Sequence, residues 1–131
     1  MKKDRLLNRD IVYEVAALGH TEYICIADCG LPIPKGVRVI DISVQAGTPR
    51  FLEVLDAVRE ELVVESIVLA SEIDEKNPEL SRQMNDRFVE CPIKKVSHED
   101  FKELTKNAKC IIRTGEVKPY ANVLLVGGVN F

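Results

Sequence analysis

Short apolar runs alternate with amphipathic stretches along most of the chain, and this alternation restricts the possible folds more than any other feature. The apolar runs predict strands at residues 23–27, 37–42, 66–70, 92–96, 109–113 and 122–126. Strands that alternate with helices build a sheet that is covered on both faces. The sequence therefore predicts an α/β protein, a three-layer α/β/α sandwich with a mixed, mainly parallel sheet of about six strands.

Residues that favour helix ends indicate where the helices begin and stop. Asn8 is suited to cap the first helix, and Gly19 is suited to end it in the left-handed conformation. The later helices begin with the cap signatures Thr48-Pro49, Asn77-Pro78 and Ser97-His98-Glu99-Asp100. The apolar positions that follow each signature recur at helical spacing, which predicts helices with one face packed on the sheet.

Size and composition exclude several classes of function. A chain of 131 residues has the usual size of one domain. Lys and Arg are scattered among a larger number of acids, for a net charge of -3, so no basic surface is predicted for nucleic acid. The charged start MKKDRLLNRD has no apolar leader, and no apolar stretch reaches the roughly 18 residues of a membrane helix. We therefore expect a cytoplasmic protein that binds neither nucleic acid nor membrane.

The four cysteines do not form a metal-binding pattern. Cys25 and Cys29 are separated by four strand steps, which would place them roughly 13 Å apart. Cys91 and Cys110 stand alone in apolar surroundings. In a chain of intracellular character, all four are expected to be packed thiols rather than metal ligands or disulfides.

Residues 18–34 contain the first candidates for chemistry. His20 stands at the predicted start of a buried strand and Asp28 at its end, before the rigid Gly-Leu-Pro-Ile-Pro loop. His20 is alternatively a surface or helix-capping residue, and Asp28 is equally suited to form a turn. Position alone does not decide between these interpretations.

Further candidates lie near the other end of the chain. His98 falls in the first turn of a predicted helix, where it is either a capping-turn residue or a neutral ring able to exchange a proton. Tyr120 and Asn122 bring a phenol and an amide, or they simply pack beneath a proline turn and start a strand. The chain has neither a phosphate-binding glycine loop nor a Gly-x-Ser-x-Gly elbow. The remaining groups suit proton transfer on a neutral polyol.

Several long motifs resemble the ribose pyranase and fucose mutarotase family over nearly the whole chain. They are LNRD at 7–10, LGH at 18–20, ADCGLPIP at 27–34, SHEDF at 97–101, IRTGE at 112–116 and PYANVLL at 119–125. The resemblance implies interconversion of the β-pyranose and β-furanose forms of D-ribose by a single sugar-isomerase domain over residues 1–131, without metal or cofactor. It also implies ring-shaped homo-oligomers, as decamers of two pentamers with sites at subunit interfaces.

The same resemblance assigns roles to particular residues. His20 matches the proton donor of the family. The positions that match its sugar-binding residues are Asp28, His98, Tyr120, Ala121 and Asn122. Two other functions stay open: mutarotation of L-fucose, and a non-catalytic ribose-binding accessory of sugar uptake.

Strand geometry places His20 and Asp28 far apart. Eight fully extended steps would separate them by roughly 26 Å. Both can serve one sugar within one subunit only if the chain turns sharply around Thr21 or Glu22 and folds back. Otherwise His20 of one subunit faces Asp28 of the next. Independently, the apolar terminal residues Val129 and Phe131 are expected to be buried against a neighbouring subunit.

Overall fold

A computed structural model describes residues 1–131. The strands are β1 (Tyr23–Ala27), β2 (Val39–Asp41), β3 (Val64–Ala70), β4 (Ile93–Val96), β5 (Ile111–Arg113) and β6 (Val123–Gly127). The helices are α1 (Arg9–Ala17), α2 (Phe51–Arg59), α3 (Ile73–Lys76), α4 (Pro78–Arg87) and α5 (His98–Thr105). Each predicted strand is present, although β2 and β5 are shorter than predicted and β3 starts earlier.

The strands form one six-stranded sheet in the order β2-β5-β1-β6-β3-β4. Strand β6 runs antiparallel to both of its neighbours, β1 and β3, whereas β5 is parallel to β1 and β2, and β4 is parallel to β3. The mixed sheet is thereby confirmed. Its single reversed strand lies in the middle, so the carboxyl end of β1 meets the amino end of β6.

Helices cover both faces of the sheet, which confirms the three-layer α/β/α sandwich. On one face, α1, α2 and α4 contribute to the larger apolar cluster, which contains Ile11, Leu55 and Met84. On the other face, α5 packs Phe101 against a smaller cluster that includes Cys25 and Leu124. No helix is both long enough and apolar enough to span a bilayer.

Three of the predicted caps are confirmed by their hydrogen bonds. The Asn8 side chain accepts the N–H groups of residues 10 and 11, the Asn77 side chain accepts that of Leu80, and the Ser97 hydroxyl accepts that of Asp100. The reciprocal half of the Ser97 capping box is absent, because the Ser97 N–H does not donate to the Asp100 carboxylate.

Two predicted helix ends are wrong. The left-handed residue after α1 is Thr21, with φ of 70°, rather than Gly19. Thr48 does not cap α2, because its N–H closes a turn with the Gln45 carbonyl and the helix starts two residues after Pro49. Helix α2 instead begins at Phe51, whose N–H donates to the Glu116 carboxylate. The short helix α3 was not predicted.

Candidate functional site

An open cleft at the carboxyl end of β1 gathers most of the side chains that the sequence indicates. Its volume is about 300 Å³. It is lined by Asp28, Gly30, Leu31, His98, Pro119, Tyr120 and Asn122. Small-molecule sites start at about this size, so the cleft can hold one small polar molecule.

Asp28 and Asn122 are joined by a pair of hydrogen bonds in this cleft. The Asp28 N–H donates to Asn122 Oδ1 at 2.9 Å, and Asn122 Nδ2 donates to Asp28 Oδ2 at 3.1 Å. The pair forms because β1 and β6 are antiparallel neighbours: Asp28 directly follows β1, and Asn122 directly precedes β6. The two bonds fix the orientation of the Asn122 amide, whose residue is only 1% exposed.

The Asp28 carboxyl is held in an environment that disfavours its charge. Burial raises its pKa above the ordinary value, although the Gly30 N–H and the Asn122 amide oppose that rise. The Gly30 N–H donates to Oδ1 at 3.0 Å, so each carboxylate oxygen accepts one hydrogen bond from the protein. A carboxylate has about four lone-pair positions, which leaves acceptor capacity for a ligand.

His98 is positioned through its backbone by the end of a neighbouring strand. As the first residue of α5, its N–H has no partner within the helix. It donates instead to both carboxylate oxygens of Glu72, at 3.1 and 3.0 Å. Burial opposes ionisation of Glu72, but the His98 N–H and the Ser71 hydroxyl contribute to a pKa below the ordinary value. Glu72 and His98 meet because they follow the parallel neighbours β3 and β4.

The His98 ring lies between two aromatic side chains. It is parallel to Phe101, with ring centroids 6.5 Å apart, and it meets Tyr120 edge-on at 5.1 Å. Its Nδ1 is buried and has no hydrogen-bond partner. The ring is thus fixed by packing rather than by a hydrogen bond to Nδ1.

The loop before β6 brings Tyr120 to the cleft but leaves Ala121 in the core. Tyr120 has a left-handed backbone, with φ of 55°. Its position is supported by Asn77, whose Nδ2 donates to the Pro119 carbonyl at 2.9 Å. Ala121 is fully buried in the larger apolar cluster and does not line the cleft.

His20 lies at the opposite end of β1. The chain does turn there, with a hydrogen bond from the Glu22 N–H to the Gly19 carbonyl and with Thr21 left-handed. The turn does not fold His20 back along the strand. Its Nε2 instead lies 2.9 Å from Glu65 Oε1, near the start of β3, and the ring is 50% exposed.

A second open cleft surrounds His20. Its volume is about 340 Å³, and Leu18, Leu62, Val63 and the terminal segment 127–130 are among its lining residues. Gly127 allows the close approach of this segment, since a Cβ there would lie 2.9 Å from Leu18 Cδ2 and 3.0 Å from the Gly19 carbonyl oxygen. Asp28, His98, Tyr120 and Asn122 thus come together, and His20 is separate from them within one chain.

Two positioning residues were not predicted from the sequence. Glu72 holds the start of α5, and the Arg113 guanidinium donates to the Cys29 carbonyl at 3.2 and 2.9 Å, next to Asp28. The usable signal for Glu72 was an acid just beyond a buried strand, because the carboxyl ends of parallel strands share one edge of a sheet. Arg113 ends a strand and had no comparable signal.

The protein offers no cluster of three or more His, Cys, Asp or Glu side chains that could hold a metal ion. All four cysteines are free thiols. Burial raises the pKa of Cys110 to about 12, and burial raises that of Cys25 further. Buried thiols of this kind are unreactive packing groups.

The family described as the RbsD / FucU transport protein family matches residues 1–130. The chain belongs to this family. A protein from Geobacillus thermodenitrificans named D-ribose pyranase is 54% identical over 131 residues, which cover 100% of this chain and 99% of that protein. The resemblance seen in the motifs is confirmed by this full-length similarity.

Solved structures of RbsD / FucU relatives share the fold. Bacillus subtilis RbsD, complexed with D-ribose, is 46% identical, with 100% of both chains covered and a TM-score of 0.97. A fucose mutarotase from Streptococcus pneumoniae, in complex with L-fucose, is 26% identical, with a TM-score of 0.77 over 95% of this chain and 94% of that chain. Of these two structures, the ribose-bound RbsD is the more similar to this chain.

Proposed function

We propose that the chain is a D-ribose pyranase, an intramolecular isomerase that interconverts the β-pyranose and β-furanose forms of D-ribose. The observation that supports this best is the full-length similarity to the ribose-bound RbsD structure, at a TM-score of 0.97. The cleft of Asp28, His98, Tyr120 and Asn122 adds the neutral and anionic hydrogen-bonding groups that a sugar requires. Neither a metal nor a cofactor is needed for this reaction.

Ring exchange requires two coupled proton movements. Opening of the pyranose breaks the bond between the anomeric carbon and the ring oxygen, which takes up a proton as the anomeric hydroxyl loses one to give the open-chain aldehyde. Closure by the neighbouring hydroxyl reverses both transfers and forms the furanose, so no proton is gained or lost overall. Each well-placed acid or base contributes roughly 10²–10⁴ in rate.

The candidate residues divide between these tasks. His20 is the proposed donor to the departing ring oxygen. Asp28 and His98 bind the sugar in the cleft and are the groups available for the anomeric proton, while Tyr120 and Asn122 bind further hydroxyls. Ala121 contributes through the backbone that links Tyr120 and Asn122, since its side chain is buried in the core.

Saturation transfer between the pyranose and furanose NMR signals of D-ribose tests the proposal directly. The protein should raise the exchange rate above that of buffer alone, and exchange of L-fucose anomers under the same conditions should rise less. Faster exchange of L-fucose than of D-ribose would replace the proposal by fucose mutarotase activity. Tight ribose binding with exchange at the uncatalysed rate would indicate a non-catalytic accessory of ribose uptake.

The separation of His20 from the cleft supports a site shared between subunits. We propose that a homo-oligomer, as a cytoplasmic decamer of two pentameric rings, brings His20 of one subunit to Asp28 of another. In the single chain Val129 and Phe131 are 39% and 101% exposed, and Val129 lines the cleft of His20, which favours burial of this terminus against a neighbour. Deletion of Asn130 and Phe131 should lower the oligomer mass in size-exclusion chromatography.

Complementation between inactive variants tests the shared site. His20→Ala and Asp28→Asn should each abolish ribose exchange alone. Refolding the two together would create hybrid oligomers in which some interfaces combine an intact His20 with an intact Asp28, so activity should return. Mixed oligomers that form but stay inactive would place both groups within one subunit.

A further inference from the structure

The surroundings of His98 allow only one of its ring nitrogens to act in the cleft. Its Nδ1 is buried and unpartnered, with the ring packed between Phe101 and Tyr120. His98 lines the cleft beside Asp28 and Asn122, and the other ring nitrogen, Nε2, is therefore the one available to a ligand. The two nitrogens of a neutral imidazole have opposite roles, one as donor and the other as acceptor.

Burial of Nδ1 selects between the two neutral tautomers. With the proton on Nδ1, a buried N–H would have no acceptor, and an unsatisfied buried donor bears the full cost of its lost hydration. Buried N–H groups without any partner are rarer in proteins than under-satisfied acceptors. The favoured tautomer therefore carries its proton on Nε2, so His98 presents a hydrogen-bond donor to the cleft.

Asp28 is then the acceptor on the other side of the cleft. Each of its carboxylate oxygens receives one protein hydrogen bond, from Gly30 or from Asn122, and retains a lone pair. Burial raises the pKa of this carboxyl, which makes it a stronger base than an exposed aspartate. The Asn122 amide cannot serve instead, because an amide is not a base near neutral pH.

We propose that Asp28, rather than His98, takes the anomeric proton, and that His98 is a fixed Nε2–H donor that binds a sugar oxygen. This assignment rests on the proposed ribose pyranase function. In the opening step the anomeric O–H bond breaks and its proton moves to an Asp28 oxygen, while the electron pair forms the carbonyl. The ring C–O bond breaks at the same time, and its oxygen takes a proton from the acid. On closure, the neighbouring hydroxyl attacks the carbonyl carbon and gives its proton back to that acid, while Asp28 returns its proton to the anomeric oxygen, so both groups end as they began.

Nitrogen NMR of the imidazole rings tests the tautomer without any sugar. The chain has only two histidines, so His20→Ala leaves the His98 signals alone in the spectrum. At about pH 8, above the ordinary histidine pKa of about 6.5, Nδ1 of His98 should resonate as an unprotonated nitrogen and Nε2 as a protonated one. The opposite pattern would overturn the donor assignment, whether or not ribose is the substrate.

His98→Gln tests the role in turnover, since a glutamine amide nitrogen can occupy the place of Nε2–H. Its kcat for ribose exchange should stay within roughly tenfold of the wild type, with a larger effect on KM, because removal of a catalytic base costs roughly 10²–10⁴. His98→Asn, whose amide reaches less far, is the matched control and should bind ribose more weakly. A loss of kcat in that larger range for His98→Gln, with ribose still bound, would make His98 the base.

The double variant Asp28→Asn with Asn122→Asp separates chemistry from structure. It reverses the pair while keeping each hydrogen bond, because the amide introduced at position 28 donates to the carboxylate introduced at position 122 and still accepts from Gly30. The fold and oligomer mass should be retained, and ribose exchange should fall by roughly 10²–10⁴. Wild-type exchange by this variant would overturn the assignment of the base to Asp28. If the wild type itself gives no ribose exchange, the proposed function fails, whereas the tautomer result stands.

Discussion

The two ends of β1 are built on different physical principles. At the carboxyl end, a buried amide is satisfied by its neighbour: Asn122 is 1% exposed and pairs with Asp28 through two hydrogen bonds. At the amino end, the ring of His20 is 50% exposed and meets the similarly exposed Glu65, beside apolar groups that nothing covers. The first end is the proposed sugar-binding cleft. The second is the half-site that the proposed oligomer would complete with a neighbouring subunit.

This difference has energetic consequences. A buried hydrogen bond whose partner is removed leaves an unsatisfied group at a cost of about 1–3 kcal/mol. An exposed ion pair such as His20–Glu65 contributes about 0–1 kcal/mol. Substitutions at the cleft end should therefore affect both folding and ligand binding, whereas those at the His20 end should affect turnover with little effect on the fold.

His20→Ala should give the largest effect. Loss of the proton donor should lower ribose exchange by roughly 10²–10⁴, with unfolding almost unchanged because the side chain is exposed. The matched control is Lys109→Ala, which removes an exposed salt bridge to Glu22 in the same turn and should leave exchange intact. Saturation-transfer NMR measures both variants, and wild-type exchange by His20→Ala would exclude it from the mechanism.

Asn122→Ala should destabilise the protein at the cleft end. The change leaves the Asp28 N–H and one carboxylate oxygen without partners, which should lower the free energy of unfolding by about 1–3 kcal/mol. Arg82→Ala, at an exposed position on α4, should shift stability by less than about 0.5 kcal/mol. Urea unfolding at one fixed protein concentration compares the two, and equal stabilities would contradict the contrast between the ends.

Glu72→Ala and Glu65→Ala compare the supports of the two histidines. Glu72 accepts the His98 N–H in the manner of a helix cap, and removal of a cap costs about 1 kcal/mol. Amide hydrogen exchange in the first turn of α5 should therefore become faster in Glu72→Ala. Glu65→Ala breaks only an exposed pair and should leave α5 protected as in the wild type. Unchanged protection in Glu72→Ala would mean that Ser97 alone caps the helix.

The carboxyl groups at the two ends should contribute to stability with opposite pH dependence. The Gly19 N–H and Lys109 lower the pKa of Glu22, whereas burial raises that of Asp28. The Glu22 contribution should be present above its ordinary pKa of about 4.3 and lost as pH falls through the lowered value. The Asp28 contribution should be present below about 3.9 and lost as pH rises through the raised value.

Glu22→Gln tests the lowered pKa of Glu22, and carboxyl NMR tests the raised pKa of Asp28. The stability difference between the wild type and Glu22→Gln should shrink as the pH is lowered below about 4. The carboxyl carbon of Asp28 should titrate with a midpoint above its ordinary value. A midpoint below that value would show that the cleft stabilises the Asp28 charge, which would weaken its role as a base.

Local chemistry explains why much of the fold was predictable. Asn8, Asn77 and Ser97 cap helices through bonds to backbone groups two or three residues away, so their effect is contained in a short stretch of sequence. Apolar runs likewise locate strands. The start of α2 was mispredicted because contacts outside the Thr48-Pro49 signature define it: the distant Glu116 accepts the Phe51 N–H, and Glu53 accepts the Arg50 N–H.

The sequence predicted which residues form the candidate site but not how those residues are placed relative to one another. The motifs pointed to His20, Asp28, His98, Tyr120 and Asn122, and four of these five line one cleft. Glu72 was missed as a support because its partner lies 26 residues further along the chain. Ala121 belongs to the matching motif, yet its side chain lies in the core.

The sequence by itself determined the residue types of the site and the two ends of the strand that holds them. Only the tertiary structure decided which groups meet. Strand β6 runs antiparallel between β1 and β3, so its start places Asn122 beside Asp28 and its end carries Gly127 to the turn that holds His20. Because β1 is a buried strand, it keeps His20 and Asp28 at its two ends, as strand geometry alone predicts. The meeting of Asp28 with Asn122 is set by long-range strand pairing, which no local pattern encodes.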